Sequence, residues 1–472
     1  MSEHLPMERF DRNALDALAM PGQRAALRAA TELFGERRAA ALQRAPAFDA
    51  WRDHARAVKD HVLANLHRYL EQFEAAATAR GTRVHWAADA AMACDIVAGI
   101  ARAAGARTVV KSKSMTTEEI GLNDALAAAG IDAVETDLGE WIVQLAREVP
   151  FHIVVPAIHK TRAQIGTILH AATGVAADAD ARELTRAARA ALRERFRTAA
   201  VGVTGANFAV AATGSILILE NEGNARMCTT LPRVHVAVVG IEKLVPRLQD
   251  LAVFLRLLPR SGTGQDLTTY QSILPGPRPA SASEGPTELH VVLLDNGRTR
   301  MLPQRVTRQA LACIRCGACL NACPVYQQVG GHAYGSVYPG PIGAVITPQL
   351  VDLGRARQLP FASSLCGACR DVCPVRIDIP ELLLHLRAEV TQAGGAVPGG
   401  ARRRLQALAF AAFAFAMAGP RRYRVATALV RAADRWLPWL VRRLPPLSHW
   451  HRGRELPRLA RRPFRALWQE RP

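Results

Sequence analysis

Seven of the nine cysteines stand in two short runs that have the spacing of iron–sulfur ligands. The first run, C-x-x-C-x-x-C-x-x-x-C-P, ends at Pro324, and the second, C-x-x-C-x-x-x-C-P, ends at Pro374. A cubane cluster needs four soft thiolates that converge on one point, and the first run matches the ligand sequence of bacterial ferredoxins. Zinc would need only two C-x-x-C pairs and would use neither the third cysteine nor the C-P. The runs therefore predict two iron–sulfur clusters of the 4Fe-4S type.

The spacing divides the ligands unequally between the two clusters. In two-cluster ferredoxins the cysteine of each C-P pair binds the cluster of the other run. This rule gives the first cluster Cys313, Cys316, Cys319 and Cys373, and it gives the second cluster Cys323, Cys366 and Cys369. Ser363 stands where the fourth cysteine of the second cluster would be, and a hydroxyl is a poorer ligand than a thiolate. Three alternatives stay open: a 3Fe-4S cluster, a 4Fe-4S cluster bound by Ser363, or a 4Fe-4S cluster with one open iron.

Three side chains outside the runs are candidates for binding a ligand. Lys111 and Lys113 follow a predicted strand and stand at the start of a predicted helix. An ammonium and the free backbone N–H groups of a helix start would together bind a small anion such as a carboxylate or phosphate. Glu220 and Glu222 follow a strand end, where α/β sheets place site residues. The plainer alternatives are a solvated lysine pair and an acidic turn.

The elements around the cysteine runs read as helices followed by an α/β domain. Apolar residues recur at three- and four-residue spacing over Ala25–Ala41 and Phe48–His67, which predicts N-terminal helices. From about residue 75, short β-rich runs alternate with helical runs, including a helix over Thr116–Ala129 and a strand over His152–Pro156. Such alternation predicts βαβ units and a parallel sheet. The glycine- and proline-rich stretch Arg260–Gly285 predicts a long functional loop.

The predicted fold class is α/β, with four segments along 472 residues. We expect an N-terminal helical segment over 1–69 and an α/β domain over 70–300. A dicluster 4Fe-4S domain, ferredoxin-like and α-helical, is expected over 305–390, and a basic C-terminal region over 391–472.

The C-terminal region holds most of the net charge. From residue 401 onward there are seventeen arginines against three acids, whereas the whole chain has a formal charge of +19. Such a tail suits the acidic face of a partner subunit first and an anionic membrane surface second; no nucleic-acid partner is expected because no nucleic-acid motif accompanies it. Within the tail, the uncharged run Leu405–Pro420 is short for a membrane span and predicts a buried or interfacial helix.

The start of the chain predicts a cytoplasmic location. Residues Met1–Phe10 include four charged or histidine side chains and no apolar core, so they do not form a secretory signal. Clustered cysteines are also typical of metal binding in a reducing compartment.

The motifs resemble the lactate utilization protein B family of iron–sulfur proteins. The similarity is carried by C-I-R-C-G-A-C-L-N-A-C-P-V-Y from Cys313, S-S-L-C-G-A-C-R-D-V-C-P-V from Ser363 and K-S-K-S-M-T-T-E-E-I-G-L-N from Lys111, and it covers nearly the whole chain. The resemblance implies a subunit of a three-part bacterial system that oxidises L-lactate to pyruvate, with the other subunits as partners.

The resemblance also implies that the electrons pass to an acceptor. Delivery to the membrane quinone pool would suit peripheral contact of the basic tail with the inner face of the cell membrane. It further suggests that the α/β domain shares the fold of sugar-phosphate isomerases and CoA transferases. The segment Ile218–Asn224 is similar to the region that holds the glutamate nucleophile of some CoA transferases.

Two functional hypotheses follow. The first is an electron-transfer subunit, and the alternative is a lactate-binding catalytic subunit that uses the α/β domain and an open iron of the second cluster. No G-x-G-x-x-G fingerprint for a flavin or nicotinamide is evident, so the chain has no obvious hydride acceptor of its own. This favours the first hypothesis.

Overall fold

The structure is a computed structural model that describes residues 6–393, 400–436, 459–460 and 462–470. The chain forms two compact units, Met1–Gly394 and Gly395–Pro472, which are described separately.

A six-stranded, all-parallel sheet forms the centre of the first unit, in the order β1-β10-β7-β4-β2-β3. Its middle strands are mostly apolar and almost wholly buried because helices cover both faces, as parallel sheets require. The strands are β1 Arg83–Ala87, β2 Thr108–Lys111, β3 Asp132–Glu135, β4 Val201–Gly205, β7 Val234–Gly240 and β10 Glu288–Leu294. The predicted α/β class and parallel sheet are confirmed.

The first unit also contains a smaller, four-stranded sheet. Its strands are β5 Phe208–Val210, β6 Ser215–Glu220, β8 Leu244–Val245 and β9 Tyr270–Leu274, and they lie in the order β8-β5-β6-β9. β9 falls inside Arg260–Gly285, so the prediction of an irregular loop was wrong there. The reason is that β9 is an edge strand whose hydrogen bonds come from β6, and flanking glycines and prolines mask this pairing in the sequence.

The predicted N-terminal helices are confirmed, although the one predicted over Phe48–His67 ends at Ala64 and a further helix begins at Leu66. Helices surround both sheets. They are Phe10–Leu18, Pro21–Gln43, Phe48–Ala64, Leu66–Thr78, Ala90–Ala103, Met115–Glu119, Leu122–Ala128, Leu138–Leu145, Arg162–Thr173, Ala181–Thr198, Asn224–Thr230 and Leu251–Gly262. The single helix predicted over Thr116–Ala129 is two helices, because Gly121 between them has a φ of +64°.

The strand predicted at His152–Pro156 does not form. Instead, the backbone N–H groups of Val154 and Val155 donate to His152 Nδ1 at 3.0 and 3.2 Å. The imidazole thus takes the donors that a strand would use, and the segment bends.

The cysteine region consists of short helices joined by loops. They are Arg305–Arg308, Ala318–Asn321, Tyr326–Val329, Gly340–Leu350, Ala368–Asp371 and Ile379–Gln392, and the described part of 305–390 contains no strand. One hydrophobic core joins these helices to the N-terminal helices and the smaller sheet, with Leu27, Phe48, Phe208, Phe254 and Leu320 among its members. The cysteine region is therefore packed into the first unit.

The second unit contains the helices Gly400–Met417, Pro420–Trp436 and Phe464–Gln469. The helix predicted within Leu405–Pro420 is confirmed, but no residue in 404–436 is buried, so the buried alternative is wrong. Large apolar side chains, among them Leu405, Phe410, Phe413 and Phe415, are more than 60% exposed. Within the described ranges, no helix is both long enough and apolar enough to cross a bilayer.

Candidate iron–sulfur centres and the adjoining polar site

Four cysteine side chains, one of them from the second run, line a single cavity. They are Cys313, Cys316, Cys319 and Cys373, and Ile153, Ile342 and Ile377 supply apolar walls. Three thiols come from one turn, whereas the fourth reaches the cavity from the C-P pair of the other run. A set of four soft donors in an apolar enclosure fits a four-iron cluster.

The first turn depends on glycine at Gly317. Its φ is +78°, and a Cβ there would lie 3.0 Å from Val154 Cγ2 and 3.2 Å from His152 Cε1. Gly317 also precedes the short helix Ala318–Asn321, which carries Cys319. The conformation and the close packing both disfavour a side chain.

The second run repeats the backbone conformation of the first. Leu365 and Gly367 have positive φ values of 56° and 86°, and Arg315 and Gly317 of the first run have 60° and 78°. The repeat extends to hydrogen bonds: the N–H of Arg315 donates to Cys313 Sγ at 3.4 Å, and the N–H of Leu365 donates to Ser363 Oγ at 3.1 Å. Ser363 Oγ therefore occupies the place in the second run that Cys313 Sγ occupies in the first.

The remaining three cysteines differ in exposure. Cys323 and Cys369 are buried, whereas Cys366 is exposed. The N–H of Tyr326 donates to Cys323 Sγ at 3.5 Å, a contact of the kind that tunes cluster sulfurs. Burial raises the pKa of Cys369 to about 12, so binding of a metal must displace its proton. Cys366 thus brings the second cysteine set to the surface, whereas Cys313, the least buried member of the first set, is partly buried.

A buried network of charges lies behind Cys313. Arg315 Nη2 is 3.4 Å from Glu242 Oε1, and Arg298 pairs with Glu242 at 2.5 Å and with Glu119 at 2.8 Å. Lys243 is also buried there, and burial lowers its pKa to about 8. Apart from Arg315, which lies inside the first run, these side chains come from distant parts of the chain, so the cysteine spacing gave no signal for them.

The N-terminal helix Phe48–Ala64 holds the second C-P pair in place. The Arg52 guanidinium is buried and donates to the carbonyls of Cys373 at 2.9 Å and Asp371 at 2.8 Å. The N-terminal helices therefore help to position a predicted cluster ligand.

The three candidate residues of the α/β domain have different surroundings. Glu220 accepts the N–H groups of Ala225 at 2.8 Å and Arg226 at 2.7 Å, so it stabilises the start of the helix Asn224–Thr230. Glu222 accepts one N–H, from Leu138 at 3.1 Å, and burial raises its pKa to about 7. Lys113 has no hydrogen bond or ion pair within the described part of the chain, and burial lowers its pKa. Lys113 and Glu222 therefore have fewer hydrogen bonds than Glu220 within the described part of the chain.

Lys111, the neighbour of Lys113, has no free donor for an anion. Its ammonium lies 3.0 Å from Thr117 Oγ1, 2.7 Å from Glu118 Oε1 and 2.7 Å from Glu135 Oε1. Lys111 therefore balances buried carboxylates, and of the two lysines only Lys113 forms no hydrogen bond or ion pair within the described part of the chain.

The fold and the cysteine geometry define a class: an iron–sulfur protein in which a parallel α/β domain is combined with a dicluster region. Three family models match this chain in the same order. They are the LUD domain over residues 70–294, the 4Fe-4S dicluster domain over 309–377 and the C-terminal region of lactate utilisation protein B over 385–472. The dicluster match confirms iron–sulfur clusters as cofactors.

Full-length relatives identify the family. The chain is 40% identical over 482 residues to lactate utilization protein B of Bacillus pumilus, covering 100% of this chain and 99% of the relative. It is 42% identical over 456 residues to an uncharacterized electron transport protein, YkgF, of Escherichia coli, covering 95% and 94%. The chain belongs to the lactate utilization protein B family and is an iron–sulfur lactate utilisation protein.

A crystal structure of a DUF162 family protein from Deinococcus radiodurans matches 48% of this chain and 98% of its own, with 16% identity and a TM-score of 0.27. That similarity supports no further conclusion. The likeness of the α/β domain to sugar-phosphate isomerases and CoA transferases stays a prediction.

Proposed function

We propose that this chain is the electron-transfer subunit of a multi-subunit system that oxidises L-lactate to pyruvate. The observation that carries the proposal is the pairing of an enclosed cysteine set with a second set that reaches the surface at Cys366. The helices Ala318–Asn321 and Ala368–Asp371, which carry cysteines of the two sets, contact each other. When bound, the two clusters supply one-electron redox chemistry. The absence of a dinucleotide fingerprint supports hydride removal from lactate in a partner subunit.

In this proposal the ligands are those predicted from the spacing. Cys313, Cys316, Cys319 and Cys373 hold the first cluster, and Cys323, Cys366 and Cys369 hold the second, with Ser363 at the fourth position. The buried cations Lys243 and Arg315 lie near Cys313, where they stabilise the additional negative charge of a reduced centre. Exposure of Cys366 suits close approach of a redox partner at the second centre.

The experiment is anaerobic purification of the full chain with and without its partner subunits, followed by EPR after addition of L-lactate. Reduction of the clusters only in the presence of the partners supports the proposal. Reduction of the isolated chain by lactate would reverse it in favour of a catalytic subunit.

We further propose that the C-terminal unit docks the chain on an acidic partner surface, with the inner face of the cell membrane as a second contact and a quinone pool as final acceptor. Exposed apolar side chains beside arginines, as where Arg422 lies 4.2 Å from the ring of Phe415, support docking. A chain that ends before Gly400 should fail to assemble with its partners. Normal assembly of that truncation would contradict partner docking, and salt-dependent release of the full chain from membrane fractions would support the membrane contact.

A second candidate function is favoured by Lys113. A partly buried ammonium that forms no hydrogen bond or ion pair within the described part of the chain, and that lies close to Glu222 and Asp137, would bind the carboxylate of lactate while a neighbouring carboxylate accepts a proton. Lys113→Ala should then abolish lactate binding and growth on lactate, whereas Arg186→Ala, on an exposed helix face, should change neither. Unchanged binding and growth in Lys113→Ala would remove this site from consideration.

A further inference from the structure

A cluster of nitrogen and oxygen ligand atoms lies outside both cysteine sets. Glu148, His159 and His332 each offer one ligand atom, and these atoms all lie within 4.8 Å of one another. Glu148 and His159 belong to the α/β domain, whereas His332 belongs to the glycine-rich insert between the two cysteine runs. Glu148 and His332 are partly buried and His159 is buried, so this is not a group of solvated surface side chains.

The hydrogen bonds leave His332 with a free lone pair. His332 Nε2 lies 2.8 Å from the carbonyl oxygen of Val149. Because a carbonyl can only accept, Nε2 carries the proton and Nδ1 is unprotonated. A histidine whose second nitrogen is held by a carbonyl is the usual arrangement of a metal ligand.

His159 also has a ring nitrogen without a hydrogen-bond partner in the described part of the chain. Its Nε2 lies 2.8 Å from Glu148 Oε2, and its Nδ1 is buried with no partner in the described part of the chain. A carboxylate and two imidazoles thus meet, and among the described residues the other donor on Glu148 is the ammonium of Lys160. A divalent cation could take the place of the His159 Nε2 proton and join these ligand atoms.

Packing fixes the two imidazole rings. The ring of Phe151 stacks on His159 with 4.5 Å between centroids and meets His332 edge-on at 4.8 Å. A Cβ at Gly330 would lie 2.1 Å from Phe151 Cζ, and one at Gly331 would lie 1.8 Å from Phe151 O. The glycine pair before His332 is therefore required to bring that imidazole to the site.

We propose that Glu148, His159 and His332 bind a divalent transition-metal ion, distinct from the iron–sulfur clusters. Two imidazoles and one carboxylate are a donor set typical of Zn²⁺ or Fe²⁺. Three protein ligands leave at least one position of a four-coordinate ion for water or a small oxygen ligand. Phe151 O accepts from Tyr326 Oη at 2.9 Å, and the N–H of Tyr326 donates to Cys323 Sγ, so the site is one layer of side chains from the second cysteine set.

The test uses the full chain purified anaerobically with its clusters, treated with a mild chelator and titrated with Zn²⁺. We expect one Zn²⁺ per chain by elemental analysis, with absorption-edge scattering from nitrogen and oxygen at about 2.0–2.1 Å. His159→Ala and His332→Ala should each weaken Zn²⁺ binding by roughly tenfold or more. His170→Ala should not, because His170 is exposed and bonds only to the carbonyl of Val175.

Lys160→Met provides a test that does not depend on the folding of the histidine variants. Lys160 holds Glu148 in the absence of an ion, so its removal should tighten Zn²⁺ binding. Visible absorption shows whether each variant retains its clusters. Scattering from sulfur at about 2.3 Å would place the ion on cysteines and overturn the proposal. Unchanged affinity in a cluster-retaining His332→Ala variant, or weaker binding in Lys160→Met, would overturn it as well.

Discussion

The two equivalent glycines of the cysteine runs allow a matched prediction. Gly317→Ala and Gly367→Ala both place an alanine at a positive φ, which costs about 1–2 kcal/mol in either case. A Cβ at Gly317 would also lie 3.0 Å from Val154 Cγ2, whereas at Gly367 the nearest atom is Arg370 Nη2 at 3.9 Å. Overpacking of a buried contact adds roughly 1–3 kcal/mol, so only Gly317→Ala carries this second cost.

The assay is the rate at which each cluster-loaded variant loses its visible absorption on anaerobic heating. With a tenfold change in rate for each 1.36 kcal/mol, the additional cost predicts that Gly317→Ala loses its clusters about 5- to 160-fold faster than Gly367→Ala. Equal rates, or faster loss from Gly367→Ala, would show that the packing of Gly317 against His152 and Val154 does not determine how stably the first run holds its cluster.

Three further perturbations test the surroundings of the clusters. Ser363→Cys should give the second cluster a fourth thiolate, because Ser363 Oγ accepts a backbone N–H in the same way as Cys313 Sγ. Iron analysis and EPR should then find two four-iron clusters, and persistence of a three-iron signal would contradict this. Arg52→Ala should destabilise the cluster-loaded chain by about 1.5–3 kcal/mol, because the hydrogen bonds from Arg52 to the carbonyls of Cys373 and Asp371 are lost. The assay is thermal inactivation, and Arg68→Ala, at an exposed position, is the control that should have no effect. Because the pKa of Glu222 is raised from 4.5 to about 7, its protonated form stabilises the folded state at low pH and this stability is lost as pH rises to about 7. The unfolding free energy of the wild type should therefore fall relative to Glu222→Gln between about pH 4.5 and 7, and parallel pH profiles would refute the shift.

Local patterns in the sequence predicted what depends on neighbouring residues. The cysteine spacing indicated which thiols could meet, and the structure brings Cys373 to the cavity of the first run. Strand and helix alternation predicted the parallel sheet. The same reasoning failed at His152, where a side chain takes the backbone donors of the next residues, and at β9, whose partner strand lies about fifty residues earlier.

The rest could not be predicted because it depends on contacts between distant segments. Arg298 and Glu242 are separated by 56 residues, and Arg52 and Cys373 by 321. Neither pair leaves a local signal, since a lone arginine in a helix reads as a solvated side chain. His332 is a similar case: its position beside Glu148 and His159 follows from packing of the insert on Phe151.

The lining of the first cavity by Cys373 has a consequence for biosynthesis. A ribosome that has released the chain only as far as the first run has supplied three of the four thiols, and the fourth emerges about fifty residues later. Even then, the carbonyl of Cys373 must find Arg52, which was synthesised long before. Insertion of the first cluster is therefore a late event that follows release of most of the chain, and a nascent polypeptide truncated within the second run would leave both centres incomplete.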